Sequence, residues 1–373
     1  MMSSLKIITV VGARPQFIKA SAVSRAIQHW NLEHPDQRLE EIIVHTGQHY
    51  DYNMSDIFFE QLNIPKPRVN LEVGSGSHGF QTARMIEGFE QILEKEKPDL
   101  VFTYGDTNST LAAALVTSKQ GVLLAHVEAG LRSYNMKMPE EVNRVLTDHI
   151  SNLLFCPTNI ARVNLMAEGI REGVYVVGDV MYDTLLHYSN LARESSCIVG
   201  SLGLKSKKYV LCTVHRAENT DNLHSLSNIM GSLQKIAQEY TVVFPVHPRT
   251  LAALKLIGIS ETSNIMFLEP LNYLDIIRLQ QEAIAILTDS GGVQKEAFIN
   301  QVPCITLRNE TEWVETVESG WNIIAGTNEE LIIQAFYSMI NNQSFEKEKV
   351  SNIYGNGNAA DKIIEIIANV KLI

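Results

Sequence analysis

The chain has 373 residues, of which 45% are hydrophobic and 20% charged, and its formal net charge is −11. This length predicts more than one domain, because a single hydrophobic core rarely grows to such a size. The acidic balance excludes a broad nucleic-acid-binding surface, which needs clustered basic side chains. No apolar stretch approaches the roughly 18 residues that a membrane span needs, so neither nucleic acid nor membrane is an expected partner.

The cysteine pattern indicates a reducing compartment. The four cysteines are scattered without a CxxC pair, as is typical of reduced, mostly buried thiols. Met1 is soon followed by a short apolar strand rather than by a charged leader with a long apolar run, so no signal peptide is expected. Both observations predict a cytoplasmic protein.

In the first half of the chain, short apolar runs alternate with helical patterns. The runs are residues 6–11, 41–46, 99–104, 122–127, 153–156 and 174–177, and one of the helical patterns spans 80–97. This alternation is typical of a parallel sheet covered by helices on both faces.

The alternation pauses after Gly178 and restarts at residue 209. We predict an N-terminal Rossmann-like domain at 1–180, a linker region at 181–208, a second Rossmann-like domain at 209–356 and a C-terminal helix at 357–373. Ligands of open parallel sheets bind beyond the carboxyl ends of the strands. The predicted fold class is therefore α/β, with two Rossmann-like domains and the ligand in the cleft between them.

The first predicted strand is followed by Gly12-Ala13-Arg14-Pro15-Gln16, with Lys19 one helical turn later. A glycine and a proline-started helix after a strand favour an anion near the helix N-terminus, where Arg14 and Lys19 would supply positive charge. Two solvated basic residues at an ordinary helix start are the alternative. The pattern is not GxGxxG, so it does not indicate a dinucleotide.

Carboxylates follow the next predicted strands of the first domain. Asp106 comes directly after 100–104, where it is either an N-cap or a functional group. Glu128 ends an apolar strand, a costly place for a charge unless it is paired or functional. Glu140 and Glu141 lie in the first turn of a helix that begins at Pro139, where the helix dipole alone favours carboxylates. These carboxylates are more numerous than helix capping alone requires.

The second domain carries a predicted phosphate site. Ser290, Gly291 and Gly292 stand between a strand and a helix, where glycines let backbone amides approach a phosphate and the serine adds a hydroxyl. Glu296 could accept hydrogen bonds from a ribose, the alternative being a simple turn with a solvated glutamate. The histidines, including His215, have no compact ligand spacing, so no metal is expected.

The chain resembles the non-hydrolysing UDP-N-acetylglucosamine 2-epimerase family. The matching strings lie in order between Gly12 and Glu312: GARPQFIK, GDTNST, HVEAGLR, PEEVNR, TVHRAEN, PVHP and TDSGGVQKEA. The resemblance implies a glycosyltransferase-B-like fold, a UDP-sugar substrate, no bound NAD or other cofactor, and a homodimer. It places catalysis on Asp106, Glu128, Glu140 and His215, and UDP or substrate binding on Arg14, Lys19, Arg144, His215, Ser290, Gly291, Gly292 and Glu296.

The family chemistry explains the carboxylates. A base removes the carbon-2 proton while UDP leaves carbon 1, which gives a 2-acetamidoglucal, and UDP then adds back with a proton delivered to the opposite face. Two faces need two proton-transfer groups, or one that reaches both. The resemblance does not assign a face to any single carboxylate.

Several positions depart from the commoner family pattern. Ala13 and Gln16 replace threonine and glutamate, and Ala217 replaces a second arginine after the histidine. These variants resemble a branch with UDP-2,3-diacetamido-2,3-dideoxyglucuronate 2-epimerases, the rival substrate, whose carboxylate would need a cation. The cations available for it are Arg84, Arg132 and Lys137.

Some bacterial members of the family need their own substrate at a second, regulatory site. Its matching positions here, which are also possible sugar contacts, are Gln48, Arg84, Arg216 and His247, and Asp51 replaces its usual second glutamine.

Three other activities share parts of this pattern. A UDP-sugar-dependent glycosyltransferase would also bind UDP at a glycine-rich helix start, but it does not need three carboxylates in the first domain. A hydrolysing epimerase would release UDP. A nucleotide-sugar-binding module without catalysis is the remaining alternative.

Overall fold

The computed structural model describes residues 4–48, 64–262, 264–342 and 353–369, except for the side chain of Arg14. The chain divides into two compact units. Unit 1 is Met1–Thr184 together with Ser351–Ile373, and unit 2 is Leu185–Val350. Each unit is built around one parallel sheet.

Unit 1 alternates strands and helices. Its elements are β1 (Leu5–Val11), α1 (Arg14–Glu33), β2 (Leu39–His45), β3 (Val69–Asn70), α2 (His78–Glu96), β4 (Leu100–Tyr104), α3 (Asn108–Lys119), β5 (Leu123–Val127), α4 (Pro139–Ile150), β6 (Leu153–Cys156), α5 (Asn159–Ala167) and β7 (Val174–Val176). The next helix, α6 (Val180–Ser195), contains the boundary between the units.

The strand order of unit 1 is β3-β2-β1-β4-β5-β6-β7, and all neighbouring strands are parallel. The chain builds outward from β1 to β3 and then places β4 on the other side of β1. The strand order therefore reverses between β1 and β4, the point at which open parallel sheets bind ligands. The loops after these two strands carry Gly12 and Asp106.

Unit 2 repeats this arrangement. Its elements are α7 (Ile198–Ser201), β8 (Tyr209–Thr213), α8 (Ala217–Thr220), α9 (Leu223–Ile236), β9 (Thr241–Pro245), α10 (Pro248–Leu256), β10 (Ile265–Leu268), α11 (Tyr273–Glu282), β11 (Ala285–Thr288), α12 (Gly291–Ile299), β12 (Cys304–Thr306), α13 (Val314–Glu318), β13 (Asn322–Ile324) and α14 (Glu329–Asn341). The parallel strands are ordered β10-β9-β8-β11-β12-β13, so the reversal lies between β8 and β11. The loops after β8 and β11 carry His215 and Ser290.

The strands are continuous apolar runs because helices cover both faces of each sheet. Every residue of β4 is buried, and Val101 packs with Ile8 and Leu124 of the neighbouring strands. In unit 2 the strand residues Val210, Phe244 and Leu287 belong to one such core. Burial of this kind stabilises a sheet by about 25 cal/mol for each square ångström of apolar surface removed from water.

The last described helix, α15 (Ala359–Asn369), belongs to unit 1 although it follows all of unit 2 in sequence. It packs against α1. Its buried residues Ile363, Ile364 and Ile367 form one apolar face, as expected from their helical spacing. At its N-terminus, Asp183 of α6 accepts a hydrogen bond from the backbone N–H of Ala360 at 2.8 Å.

The predicted pair of Rossmann-like sheets is confirmed. Strands β3 and β13 were not predicted, because each is short and contains an asparagine that interrupts its apolar run. The stretch 181–208, expected as a linker region, contains most of α6 and all of α7. No helix in the described ranges is long and apolar enough to cross a membrane.

Candidate active site

The loop after β4 fixes Asp106 from two sides. Its carboxylate oxygen Oδ2 accepts hydrogen bonds from Arg144 Nη2 at 2.6 Å and Nε at 3.1 Å, and its carbonyl accepts one from Asn143 Nδ2 at 2.9 Å. The cap of α3 is Thr107, whose hydroxyl accepts from the backbone of Thr110. Asp106 is therefore not the helix cap, and a buried arginine on α4 holds its partly exposed carboxylate in place.

Glu128 and Lys19 form a buried ion pair beside that loop. Gly105 makes this contact possible, because a Cβ there would lie 2.9 Å from Lys19 Nζ and 3.4 Å from Glu128 Oε2. Glu128 itself has φ of 75°, a backbone conformation that costs a non-glycine residue free energy and is enriched at functional sites. Lys19 was expected to meet a diphosphate; the structure places its ammonium on a carboxylate of the predicted catalytic set.

The two carboxylates at the start of α4 differ in environment. Glu141 is 1% exposed and accepts hydrogen bonds from the backbone N–H groups of Ser133 and Tyr134 and from Arg144 Nη1 at 2.7 Å. Glu140 is only partly buried. Glu141 thus stabilises the loop before α4 and orients the arginine that holds Asp106, and Glu140 is the carboxylate that reaches the surface.

His126 links the same loop to the interior of unit 1. Its Nε2 lies 2.8 Å from the carbonyl oxygen of Gly105, and its Nδ1 lies 2.7 Å from Asp148 Oδ1. Arg132 Nη1 donates to the other oxygen of Asp148 at 2.7 Å. Burial alone would raise the pKa of Asp148, but the charges of His126 and Arg132 hold it below its ordinary value.

Arg132 was expected to be available for a substrate carboxylate, and this expectation is wrong. It is 4% exposed, and it binds both Asp148 and Glu168, the latter through Nε at 2.6 Å and Nη2 at 2.8 Å. Since two carboxylates already surround this buried guanidinium, an incoming anion would have to displace one of them. Of the other two candidate cations, Arg84 is exposed and pairs with Glu87, and Lys137 is exposed.

The turn after β1 is tied together by Gln16. Its Oε1 accepts from the N–H groups of Gly12 and Ala13, and its Nε2 donates to the Tyr104 carbonyl and to Thr110 Oγ1, each at 3.0 Å. A carboxylate could not make the two donations, so the departure from the commoner glutamate suits this environment. Arg14 begins α1, but its side chain lies outside the described part of the chain, as does Asp51.

The predicted regulatory residues divide between the units, with Gln48 and Arg84 in unit 1 and Arg216 and His247 in unit 2. Gln48 Oε1 accepts hydrogen bonds from the N–H and hydroxyl of Ser109 at 3.1 and 2.7 Å. It therefore provides an acceptor for a backbone N–H in the first turn of α3, which has no partner within the helix. Arg84 stands on the exposed face of α2. In unit 2, His247 is the cap of α10 and accepts from the backbone of Arg249, whereas Arg216 precedes α8. A second substrate site at these positions stays a prediction.

The loop after β8 is organised by Asp289, a fully buried residue. Its carboxylate accepts from the N–H groups of His215 and Arg216 at 3.1 and 3.0 Å and from Asn219 Nδ2 at 3.0 Å, and it lies 3.2 Å from His215 Nδ1. Burial alone would raise the pKa of Asp289, but these donors hold it below its ordinary value. The arrangement fixes the half-exposed imidazole of His215 through Nδ1 and turns Nε2 away from Asp289.

Sequence reasoning missed Asp289 as a site residue. It stands in the TDSGG string, and β8 and β11 are neighbours on either side of the strand reversal. An aspartate that follows a buried strand beside a loop with a histidine was the available signal.

The predicted phosphate site lies at the start of α12. Ser290 precedes the helix, its N–H donates to Thr288 Oγ1 at 2.9 Å, and the described residues show no cap bond from its hydroxyl. A Cβ on Gly291 would collide with the carboxylate of Glu312, so a larger residue there requires Glu312 or the helix start to shift. The backbone amides of this turn, with Gly292, are the groups that would face an anion.

Glu296, further along α12, is 5% exposed and is not a solvated glutamate. Its Oε2 accepts a hydrogen bond from Gln280 Nε2 of α11 at 2.6 Å. Among the described residues, no group of three or more His, Cys, Asp or Glu side chains could hold a metal ion.

Comparisons with known proteins identify the family of this chain. The family model described as UDP-N-acetylglucosamine 2-epimerase matches residues 33–368. A UDP-N-acetylglucosamine 2-epimerase homolog of Methanococcus maripaludis is 52% identical over 371 residues, which cover 98% of this chain and 100% of that protein. The UDP-2,3-diacetamido-2,3-dideoxy-D-glucuronate 2-epimerase of Pseudomonas aeruginosa is 46% identical, with the same coverage.

A solved structure is similar over nearly the whole chain. The UDP-GlcNAc 2-epimerase of Methanocaldococcus jannaschii, in complex with UDP-GlcNAc and UDP, has a TM-score of 0.90 and 44% identity, and the match covers 98% of this chain and 100% of that one. The fold is therefore glycosyltransferase-B-like. With a family model over most of its length and relatives of this identity, the chain belongs to the UDP-N-acetylglucosamine 2-epimerase family of isomerases.

Proposed function

We propose that this epimerase inverts carbon 2 of a UDP-2-acetamido sugar, converting UDP-N-acetylglucosamine to UDP-N-acetylmannosamine by elimination and re-addition of UDP. The observation that carries the proposal is the pair of carboxylates after β4 and β5, Asp106 with Arg144 and Glu128 with Lys19. Each carboxylate is held by a buried cation, Asp106 after β4 at the strand reversal of unit 1 and Glu128 after the neighbouring strand β5. The solved relative in complex with UDP-GlcNAc and UDP supports the choice of substrate.

The reaction breaks two bonds and remakes them. A carboxylate takes the proton from carbon 2, the electron pair of that bond forms the carbon 1–carbon 2 double bond, and the bond from carbon 1 to the diphosphate oxygen breaks. UDP then attacks carbon 1 while a second carboxyl group delivers a proton to the other face of carbon 2. Asp106, Glu128 and Glu140 are the proposed proton-transfer groups.

UDP is proposed to be recognised mainly by unit 2. The backbone amides at Gly291 and Gly292 with the Ser290 hydroxyl would bind phosphate, and Glu296 would accept from the ribose hydroxyls. His215, oriented by Asp289, would stabilise the charge that grows on the leaving diphosphate. Within unit 1, Arg14 and Lys19 are proposed to bind a diphosphate and Arg144 the substrate.

The second candidate substrate is the 2,3-diacetamido-2,3-dideoxyglucuronate. The Pseudomonas aeruginosa relative favours it, whereas the engagement of Arg132 with Asp148 and Glu168 removes one of the cations that its carboxylate would need.

The test is product analysis with both UDP-sugars side by side in deuterium oxide. We expect the carbon-2 epimer of UDP-N-acetylglucosamine, with deuterium at carbon 2 and without added nicotinamide, because carboxyl protons exchange with solvent faster than a typical turnover of about 10 per second. Epimer that keeps a fully protonated carbon 2 over many turnovers would disprove elimination. Stoichiometric release of free UDP would instead show a hydrolysing enzyme.

We further propose that the enzyme is a cytoplasmic homodimer that supplies an activated sugar for a cell-surface polysaccharide. The resemblance to the family supports this proposal. Sedimentation equilibrium at micromolar concentration should give twice the mass of the chain, and a monomer mass would contradict it.

A further inference from the structure

Gln280 is a fully buried polar residue whose hydrogen bonds define a single orientation of its amide. It lies on α11, it is 0% exposed, and its Nε2 donates to Glu296 Oε2 at 2.6 Å. On its other side, Asn300 Nδ2 donates to Gln280 Oε1 at 3.4 Å. A flipped amide would set Oε1 against the carboxylate of Glu296 and its own donors against those of Asn300, so the order Asn300 to Gln280 to Glu296 is fixed.

The strength of the contact to Glu296 follows from its charge and burial. Glu296 is itself nearly buried. A carboxylate taken out of water is costly unless donors replace the lost solvent, and a hydrogen bond to an ionised acceptor is roughly twice as strong as a neutral one. The short distance of 2.6 Å fits such a bond. The amide therefore both stabilises the carboxylate and restricts its rotation.

We infer that Gln280 is a positioning residue for nucleotide recognition, which sets the Glu296 carboxylate for the vicinal hydroxyls of a ribose and so makes the enzyme select ribonucleotides over deoxyribonucleotides. This inference rests on the proposed role of Glu296 toward the ribose. A carboxylate held at one oxygen by a neighbouring helix presents a defined edge, and two adjacent hydroxyls match that edge. Sites built in this way reject a ligand that lacks the hydroxyl, because the buried acceptor is left unsatisfied.

The decisive variant is Gln280→Met, which keeps the length of the side chain and removes its amide. We expect the affinity for UDP, measured by calorimetry without added metal, to weaken about tenfold, since a hydrogen bond to a charged group is lost from the support of the ribose acceptor. The affinity for 2′,3′-dideoxy-UDP should stay close to the wild-type value. The ratio between the two affinities therefore falls, which a general loosening of unit 2 would not produce.

Gln281→Met is the matched control, because it makes the same change one residue along the same helix. The Gln281 amide points to the carbonyl of Ser189 at 3.5 Å, not to Glu296. This variant should keep the wild-type ratio. If Gln280→Met does not fold, Gln280→Asn takes its place, since it keeps an amide that is one methylene too short to reach Glu296.

Glu296→Gln separates the inference from the proposed function. If this variant keeps the wild-type ratio, Glu296 does not read the ribose, and both the proposed role and the inference fail. If it lowers the ratio and Gln280→Met does not, or if Gln280→Met weakens both nucleotides equally, the proposed role of Glu296 stands and the inference about Gln280 is wrong. A lower ratio in both variants supports the inference.

Discussion

At the scale of single residues, two of the side chains proposed to transfer a proton or stabilise charge have a partner that is more buried than themselves. Asp106 depends on Arg144, and His215 depends on Asp289. This order follows from the free energy of burial, because a buried charge persists only where donors or an opposite charge surround it. The buried partners are consequently as important to test as the groups that face substrate.

Asp289→Asn tests the most connected of these partners. An amide can still accept from the backbone of residues 215 and 216, but its N–H₂ group cannot fix the Nδ1–H form of His215 as a carboxylate does. We expect turnover to fall roughly 10²-fold while the protein stays folded, as judged by steady-state kinetics and thermal denaturation. Asn219→Ala, which removes another donor to the same carboxylate without touching the His215 ring, should have a much smaller effect. Wild-type turnover of Asp289→Asn would show that this contact is dispensable.

At the scale of elements, α15 completes unit 1 through the buried carboxyl group of Asp183. Burial raises the pKa of Asp183 to about 6, against an ordinary value of 3.8, although a backbone N–H of α15 favours its charged form. Because the folded-state pKa is the higher one, the native protein binds a proton that the unfolded chain has already lost. This group therefore contributes less stability as the pH rises through the window between these two values.

The corresponding prediction concerns Asp183→Asn. Relative to the wild type, the variant should gain stability as the pH rises from 4 to 7, with a total change of about 2 kcal/mol, since each pKa unit corresponds to about 1.4 kcal/mol. The measurement is the free energy of unfolding in urea at several pH values. Glu365→Gln, at an exposed position of the same helix, controls for the change in net charge. A difference between variant and wild type that does not depend on pH would contradict the raised pKa.

At the scale of the whole molecule, Asp106 of unit 1 and the phosphate site of unit 2 lie at equivalent strand reversals of two separate sheets. Chemistry and nucleotide affinity should therefore be separable by mutation. We expect Glu128→Gln to lower turnover by roughly 10²- to 10⁴-fold with little change in UDP affinity, because an amide keeps the shape but cannot take the proton.

Gly291→Ala should do the converse and weaken UDP binding about tenfold, which corresponds to about 1.4 kcal/mol, because its Cβ collides with Glu312 and displaces the helix start. Gly200→Ala, where a Cβ meets nothing within 4 Å, is the control in the same unit. Steady-state kinetics and calorimetry on Glu128→Gln, Gly291→Ala and Gly200→Ala measure turnover and UDP affinity separately. Parallel losses of turnover and affinity in Glu128→Gln would contradict the division of roles.

The sequence predicts the fold well because βαβ alternation appears as a local periodicity of apolar residues, and it places Asp106 and Glu128 because they directly follow predicted strands. It does not predict their partners. Gln16 donates to the carbonyl of Tyr104, 88 positions away, and such a contact depends on how two strands pair rather than on any local pattern. The same reason explains why Arg132 was expected to be available and is instead bound to two buried or partly buried carboxylates.

Because unit 1 consists of two separate stretches of sequence, it is completed late in the synthesis of the chain. Translation delivers the sheet of unit 1 first and α15 only after all of unit 2 has been made, at about 5–20 residues per second. For the whole of that interval the surface of α1 that receives α15 stays uncovered, while unit 2 already has every strand and helix it needs. The growing chain therefore finishes its second unit before its first, and chaperones that shield apolar surface have the uncovered α1 as their natural target during synthesis.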